Sequence, residues 1–348
     1  MSDYETYDLG DLTLESGEVI PSAKIAYKTF GDPKLPAIIY PTWYSGPVIS
    51  DNEWLISPSK TLNPSTYFII IPALFGNSQS SSPSNTSLSP FPRVTFYDNV
   101  LAQHTLVTKH LGVKHAFAVL GWSMGAGQTY QWATQYPEFM DKIAPFCGSA
   151  RCSLHNQVFL EGVKTALVAA KGAASAGICK GYTTESEGKG WTKEQAETGL
   201  KALGRVYAGW GFSQAFYRQK LYESVLGFKD LETFMTDFWE FWALSKSPEN
   251  MLTMLHTWQS ADCSVQHPYN NNFEAAMKGI KAKALVLPSK TDLYFPPEDS
   301  EYEVECMSEG VGRLEVFPSV WGHWAGGPGQ SEGDVEWLDQ KLREFFAE

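Results

Sequence analysis

The chain has 348 residues, 43% of them hydrophobic and 19% charged, with a formal net charge of -12. That length and balance describe a folded protein of one large domain or two ordinary ones, with ample material for a core. The acidic excess and the lack of a clustered Lys/Arg run argue against a nucleic-acid surface, and no apolar run reaches the roughly 18 residues needed to cross a membrane. The opening Met1-Ser2-Asp3-Tyr4-Glu5 leads into no apolar segment, so no secretory leader is expected and the cytoplasm is the expected location. Five scattered cysteines (Cys147, Cys152, Cys179, Cys263, Cys306) and seven histidines form no zinc or H-E-x-x-H spacing. Reduced thiols are expected, and neither a metal nor a bound cofactor.

In chain order, residues 22–30 read as a strand ending at Gly31-Asp32-Pro33. Residues 37–40 and 67–71 are short continuous apolar runs, the pattern of parallel strands covered on both faces. Residues 77–92 are rich in Ser, Pro and Asn and read as a loop. Residues 97–111 carry helical apolar spacing that stops at Gly112. Residues 115–120 and 142–146 are further strands. From about Arg151 to Asn270 strand signals vanish and aromatic-rich helical stretches take over, interrupted by a polar loop at 181–189. Strand–helix alternation resumes with 283–288 and 313–317, and residues 335–346 form a closing amphipathic helix. The expected fold is α/β: a mostly parallel central sheet flanked by helices, built from residues 1–150 and 271–348. A helical cap over 151–270 interrupts it.

One motif dominates. Gly121-Trp122-Ser123-Met124-Gly125 follows the apolar run 116–120 and precedes a helical stretch, so it is G-x-S-x-G in a strand–turn–helix context. The turn is so tight that the residues two before and two after the serine must be small, and both are glycine. The hydroxyl then stands clear at the sheet end as a nucleophile, and the Met124 N–H faces a developing oxyanion. A serine hydroxyl needs a histidine to take its proton and an acid to orient that histidine, in the chain order Ser, acid, His. Asp292 lies just past the strand 283–288 and suits the acid; Glu298 and Asp299 are rivals but open the next helix, where acids usually serve its N-terminus. His323, in Trp321-Gly322-His323-Trp324, is the only histidine after His267. The second oxyanion donor should come from the loop after residues 37–40, with Tyr44 favoured and Trp43 next.

Beyond the elbow, the chain resembles the homoserine O-acetyltransferase branch of the α/β-hydrolases over nearly its whole length. The resemblance rests on Trp43-Tyr44-Ser45-Gly46, on Phe91-Pro92-Arg93-Val94-Thr95 with Asp98 and Gln103, on His110-Leu111-Gly112-Val113, and on Ser123-Met124-Gly125 with Gln128, Trp132-Ala133 and Tyr136-Pro137. It implies a Ser123–Asp292–His323 triad under a helical cap. Three departures are informative: Trp122 stands where the family has glycine, Trp324 where it has an aspartate that meets the homoserine amino group, and Ser78 where it has an arginine. A site for a zwitterion must pair both charges, so homoserine is not the expected substrate. Trp43, Trp122 and Trp324 are the expected substrate-binding walls, with Trp54 and Trp321 as further candidates.

The expectation is a serine hydrolase acting on an apolar or aromatic ester, thioester or lactone through an acyl-Ser123 intermediate. A coenzyme A-dependent O-acyltransferase for a hydroxyl compound other than homoserine is the alternative. A non-catalytic binder of a hydrophobic ligand is the third. The expected partner is a small-molecule substrate, with no nucleic acid and no membrane, and the reading leaves room for a homodimer.

Overall fold

The structure, a computed structural model, describes residues 3–46, 49–172 and 190–348. Cys179 and the expected polar loop at 181–189 lie outside the described residues. Within them, eight strands pair into one sheet: β1 (Glu5–Thr13), β2 (Val19–Phe30), β3 (Ala37–Ile39), β4 (Phe68–Pro72), β5 (Ala116–Trp122), β6 (Met140–Phe146), β7 (Lys283–Val286) and β8 (Gly312–Leu314). Their spatial order is β1-β2-β4-β3-β5-β6-β7-β8. The six strands β4 to β8 in that order run parallel, while β1 pairs antiparallel with β2, and β2 with β4. Neighbouring residues on a parallel strand face opposite layers. Ile38, Leu120 and Ala144 therefore pack into one layer and Ile39, Val119 and Ile143 into the other. Fully burying such an Ile, Leu or Val contributes about 1.5–3 kcal/mol.

The differences from the sequence expectation have local causes. Strand β1 went unrecognised because it is a mostly exposed edge strand whose period-2 pattern slips at Gly10, with register shifts on either side. The helix expected at 97–111 is α1 (Phe96–Thr105), capped by a Thr95/Asp98 capping box, followed by a π-helical turn over Leu106–His110. Gly112 ends it at φ 70, as expected for a C-terminal glycine. Strand β8 is shorter than expected; Phe317, the end of the expected run, makes an isolated bridge to Ser289.

Helix α2 (Met124–Gln135) follows β5 and is buried along almost its whole length. Between β6 and β7 the chain passes through α3 (Leu154–Ala169), α4 (Lys193–Gly211), short helical turns between 214 and 244, and α5 (Pro248–Gln259). The N-termini are set by Ser153, Thr192 and Ser247 side chains that accept backbone N–H bonds. Rings such as Phe216, Phe234 and Trp239 are fully buried among these helices. Helices α6 (Phe273–Gly279), α7 (Pro297–Cys306) and α8 (Glu332–Ala347) complete the chain. Because β5 lies between β3 and β6, the loops leaving β3, β5, β7 and β8 converge at one edge of the sheet, where open α/β sheets place ligands.

Candidate active site

Ser123 is the single residue between β5 and α2, and its backbone sits at φ 58, ψ -125. A non-glycine residue there costs about 1–3 kcal/mol and persists only if its surroundings impose it. They do: the Ser123 N–H donates to the Phe146 carbonyl at 3.1 Å, and its own carbonyl accepts from Ala126 and Gly127 N–H at 2.9 and 3.2 Å. The glycines are required by contact. A Cβ at Gly121 would lie 2.3 Å from the Gly125 carbonyl carbon, and one at Gly125 would lie 2.8 Å from the Pro41 carbonyl oxygen. Gly148, which no motif singled out, is equally constrained, since its Cβ would sit 2.5 Å from the Ser123 carbonyl oxygen.

His323 bridges the serine and the acid. Its Nε2 is 2.8 Å from Ser123 Oγ and its Nδ1 is 2.8 Å from Asp292 Oδ2. An ionised carboxylate only accepts, so Nδ1 carries the proton and Nε2 is left to accept from the hydroxyl. All three side chains are buried. The second Asp292 oxygen accepts from the Tyr294 and Phe295 N–H groups at 2.7 and 3.2 Å. The two loops are tied together by Thr291, whose hydroxyl donates to the Ser319 carbonyl at 3.0 Å and accepts from the Gly322 N–H at 3.0 Å. Glu298 and Asp299 begin α7 and make no bond to His323, so the structure brings Asp292 to the histidine and not its rivals.

Met124 opens α2, where the first N–H groups have no partner within the helix. Tyr44 and Trp43 stand in the loop after β3, the strand adjacent to β5. Gln128 joins the two segments: its Nε2 donates to the Thr42 carbonyl at 2.8 Å and to the Met124 carbonyl at 3.0 Å. Its Oε1 accepts from Gln103, which in turn accepts from the Trp132 indole. Every member of this buried chain is satisfied, which holds the loop against the elbow.

Ser123 and His323 open into a cavity of about 540 Å³ whose walls include Trp43, Tyr44, Trp54, Trp122 and Trp324. Trp321 does not line it; that ring packs on Phe212 and Phe216 instead, because Gly322 turns the chain between it and His323. Ser78 faces a neighbouring cavity of about 310 Å³. Trp122 has a second role that its position in the motif did not signal. Its ring stacks on His323 at 4.9 Å and 24°, and its indole N–H donates to the His323 carbonyl at 3.0 Å. Tyr294, also unforeseen, packs against the imidazole with ring centroids 4.4 Å apart. From the inserted helices Tyr207, Phe238, Trp242 and Trp258 reach the same cavity. Burial holds the Tyr44, Tyr207 and Tyr294 phenols well above their usual range, so they stay neutral. A further cavity of about 250 Å³, lined by Phe91, Arg93 and His256 among others, shares no wall with this one. Among the described residues no helix is long and apolar enough to cross a membrane.

Comparison with known proteins bears on the family and the fold. Residues 49–166 match the family model for the alpha/beta hydrolase fold. An ethyl acetate hydrolase of Pseudomonas veronii is 33% identical over 97% of this chain and 93% of its own. The solved structure of an acetylester hydrolase from Corynebacterium glutamicum superposes with a TM-score of 0.89, at 32% identity, over 99% of this chain and 96% of that one. A homoserine O-acetyltransferase of Trichormus variabilis is 25% identical over 89% of this chain and 86% of its own. With the serine elbow at the centre of a mostly parallel sheet and full-length likeness to esterases and acetyltransferases alike, the chain belongs to the α/β-hydrolase family of enzymes, in the branch those two groups share.

Proposed function

We propose that this enzyme is an esterase that cleaves small esters through an acyl-Ser123 intermediate. His323 Nε2 takes the Ser123 proton as Oγ bonds to the ester carbonyl carbon. The Met124 and Tyr44 N–H groups hold the resulting oxyanion. As the tetrahedral species collapses, the C–O bond to the alcohol breaks and the imidazolium returns its proton to the leaving oxygen. Water, deprotonated by the same nitrogen, then attacks the acyl carbon, releasing the acid and restoring the serine. Asp292 keeps the imidazole in the required tautomer throughout. The described helices between Arg151 and Asn270 act as the cap, with Tyr207, Phe238, Trp242 and Trp258 roofing the pocket so that the oxyanion forms out of bulk water.

The observation that carries this reading is the His323 imidazole, bonded at 2.8 Å on each nitrogen to Ser123 and Asp292 at the floor of an aromatic cavity. The esterase names of the relatives at 32–33% identity support the same choice. A coenzyme A-dependent acyltransferase is the second reading, favoured by the homoserine O-acetyltransferase relative. Homoserine itself fits poorly: no lysine or arginine lines the cavity to pair with its carboxylate, and beside His323 Trp324, packed on Trp122 and Phe212, offers no counter-charge to its ammonium. The test is to incubate the enzyme separately with ethyl or phenyl acetate and with acetyl-coenzyme A plus homoserine. Turnover of the acetates without O-acetylhomoserine is expected. Efficient O-acetylhomoserine formation with inert esters would overturn the reading.

A further inference from the structure

We propose that the pocket prefers esters whose alcohol part carries a positive charge, above all a quaternary ammonium, and rejects anionic alcohols and acyl donors. This inference rests on the esterase reading and names the substrate class of that site. Eleven of the twenty described residues lining the cavity are Phe, Tyr or Trp, and none is a lysine or arginine. The only acidic side chains among those lining residues are Asp51 and Asp237, both on exposed residues, and partial burial of the Asp51 carboxyl pushes it up against the opposing pull of Lys246. Asp237 is poised by the Thr236 hydroxyl, which donates to its Oδ1 at 2.8 Å. Lys201 and Arg205, on the helix α4 that packs against that turn, are engaged by Glu240 and Glu232. Two cations stand close to the wall without lining it: Lys246, which lines the adjacent cavity and whose ammonium burial lowers to about 8 against the opposing pull of Asp51, and Lys60, whose ammonium donates to the carbonyl of the lining residue Trp54.

A trimethylammonium group suits such walls twice over. Its methyl groups bury as apolar surface, and its charge is attracted by ring faces and carboxylates together. A primary ammonium is more strongly hydrated and loses more on entry. The same field opposes a phosphate-bearing donor such as a coenzyme A thioester. It therefore weighs against the transferase reading by a route independent of the homoserine argument.

The test compares two esters of one shape, acetylcholine and 3,3-dimethylbutyl acetate, which differ by a single charge. At low ionic strength kcat/KM for acetylcholine should exceed that of its carbon isostere by about tenfold, the scale of a desolvated cation on aromatic faces. The ratio should shrink in the D51N/D237N double variant and as salt is added. A ratio of one or below in the wild-type enzyme overturns the proposal. So does hydrolysis of ethyl acetate with neither bulky ester accepted. A second arm needs no catalysis: choline and 3,3-dimethylbutanol are titrated into Ser123→Ala and followed by tryptophan fluorescence. Tighter binding of choline supports the cation site even if no ester is turned over, which would sink only the esterase reading. Equal or weaker binding of choline sinks the cation site.

Discussion

Trp122 shows how one side chain can both line a cavity and hold a neighbouring loop. Its ring forms part of the cavity wall and meets Trp43 edge-on, while its indole N–H and flat face hold His323. Trp122→Phe keeps an apolar ring and deletes that one hydrogen bond, whose net worth is about 0.5–1.5 kcal/mol. We expect kcat to fall by several-fold with little change in melting temperature, because the positioning of the imidazole is lost and the core is not. Steady-state kinetics on a short acetate ester would check this; an unchanged kcat would mean that the loop alone fixes His323. Asp292→Asn probes the proposed acid. An amide at that position would offer an N–H to Nδ1 and favour the wrong tautomer, so kcat should drop by about 10⁴ while the fold survives. A near-wild-type rate in that variant would require another acid. Gly148→Ala is the third test at this scale. The added methyl meets the Ser123 carbonyl and the Ala126 side chain, each at 2.5 Å, so activity and stability should fall together. Activity assays and thermal melts read the two effects.

Among the elements, α7 is pinned to the sheet by a buried acid. Glu303 accepts from the Tyr130 hydroxyl of α2 at 2.7 Å and from the Ala150 N–H just beyond β6 at 2.6 Å. Burial outweighs those bonds and raises its carboxyl to about 8. A carboxyl with a folded pKa above its unfolded value of about 4.3 binds its proton more tightly in the fold. Its stabilising share is therefore full below that value and is lost as pH rises towards about 8, at no more than about 1.4 kcal/mol per pH unit. Glu303→Gln should flatten the decline in stability between pH 5 and 8, as read by denaturant melts across that range. An unchanged pH profile would show that Glu303 stays ionised. The elements also show what the sequence could and could not reveal. The elbow was legible because strand, G-x-S-x-G and helix coincide in one contiguous stretch, and chain order then selected Asp292 and His323. Strand β1 was not, because an edge strand with one exposed face and a glycine bulge loses its period. Nor were Gly148, Thr291 and Tyr294, whose roles arise from contacts across loops and leave no spacing to read. Trp321 was misplaced for the same reason: adjacency to His323 in sequence does not say which way a ring turns around Gly322.

At the scale of the whole molecule the site is assembled from distant parts of the chain, with the loop after β3, the elbow after β5, the loops after β7 and β8, and the inserted helices each contributing. The close approach of the helices to the His323 loop is tight. A Cβ at Gly211, the last residue of α4, would lie within 2.8 Å of both Trp239 and Trp324, and one at Gly322 would lie 2.7 Å from the Ser213 N–H. Placing the proposed cap against the histidine loop in this way makes pocket shape depend on how residues from both regions fit. All of this turns on one claim, that Ser123 is the nucleophile. Its most direct test is exposure of the folded enzyme to a fluorophosphonate, followed by mass spectrometry of the intact chain and of its peptides, with residual esterase activity measured in parallel. One phosphonyl group per chain on the peptide containing Ser123, with activity lost in proportion to labelling and no label on Ser123→Ala, is the result predicted. A chain that stays unlabelled while hydrolysing esters, or one labelled on another residue as activity disappears, would contradict it.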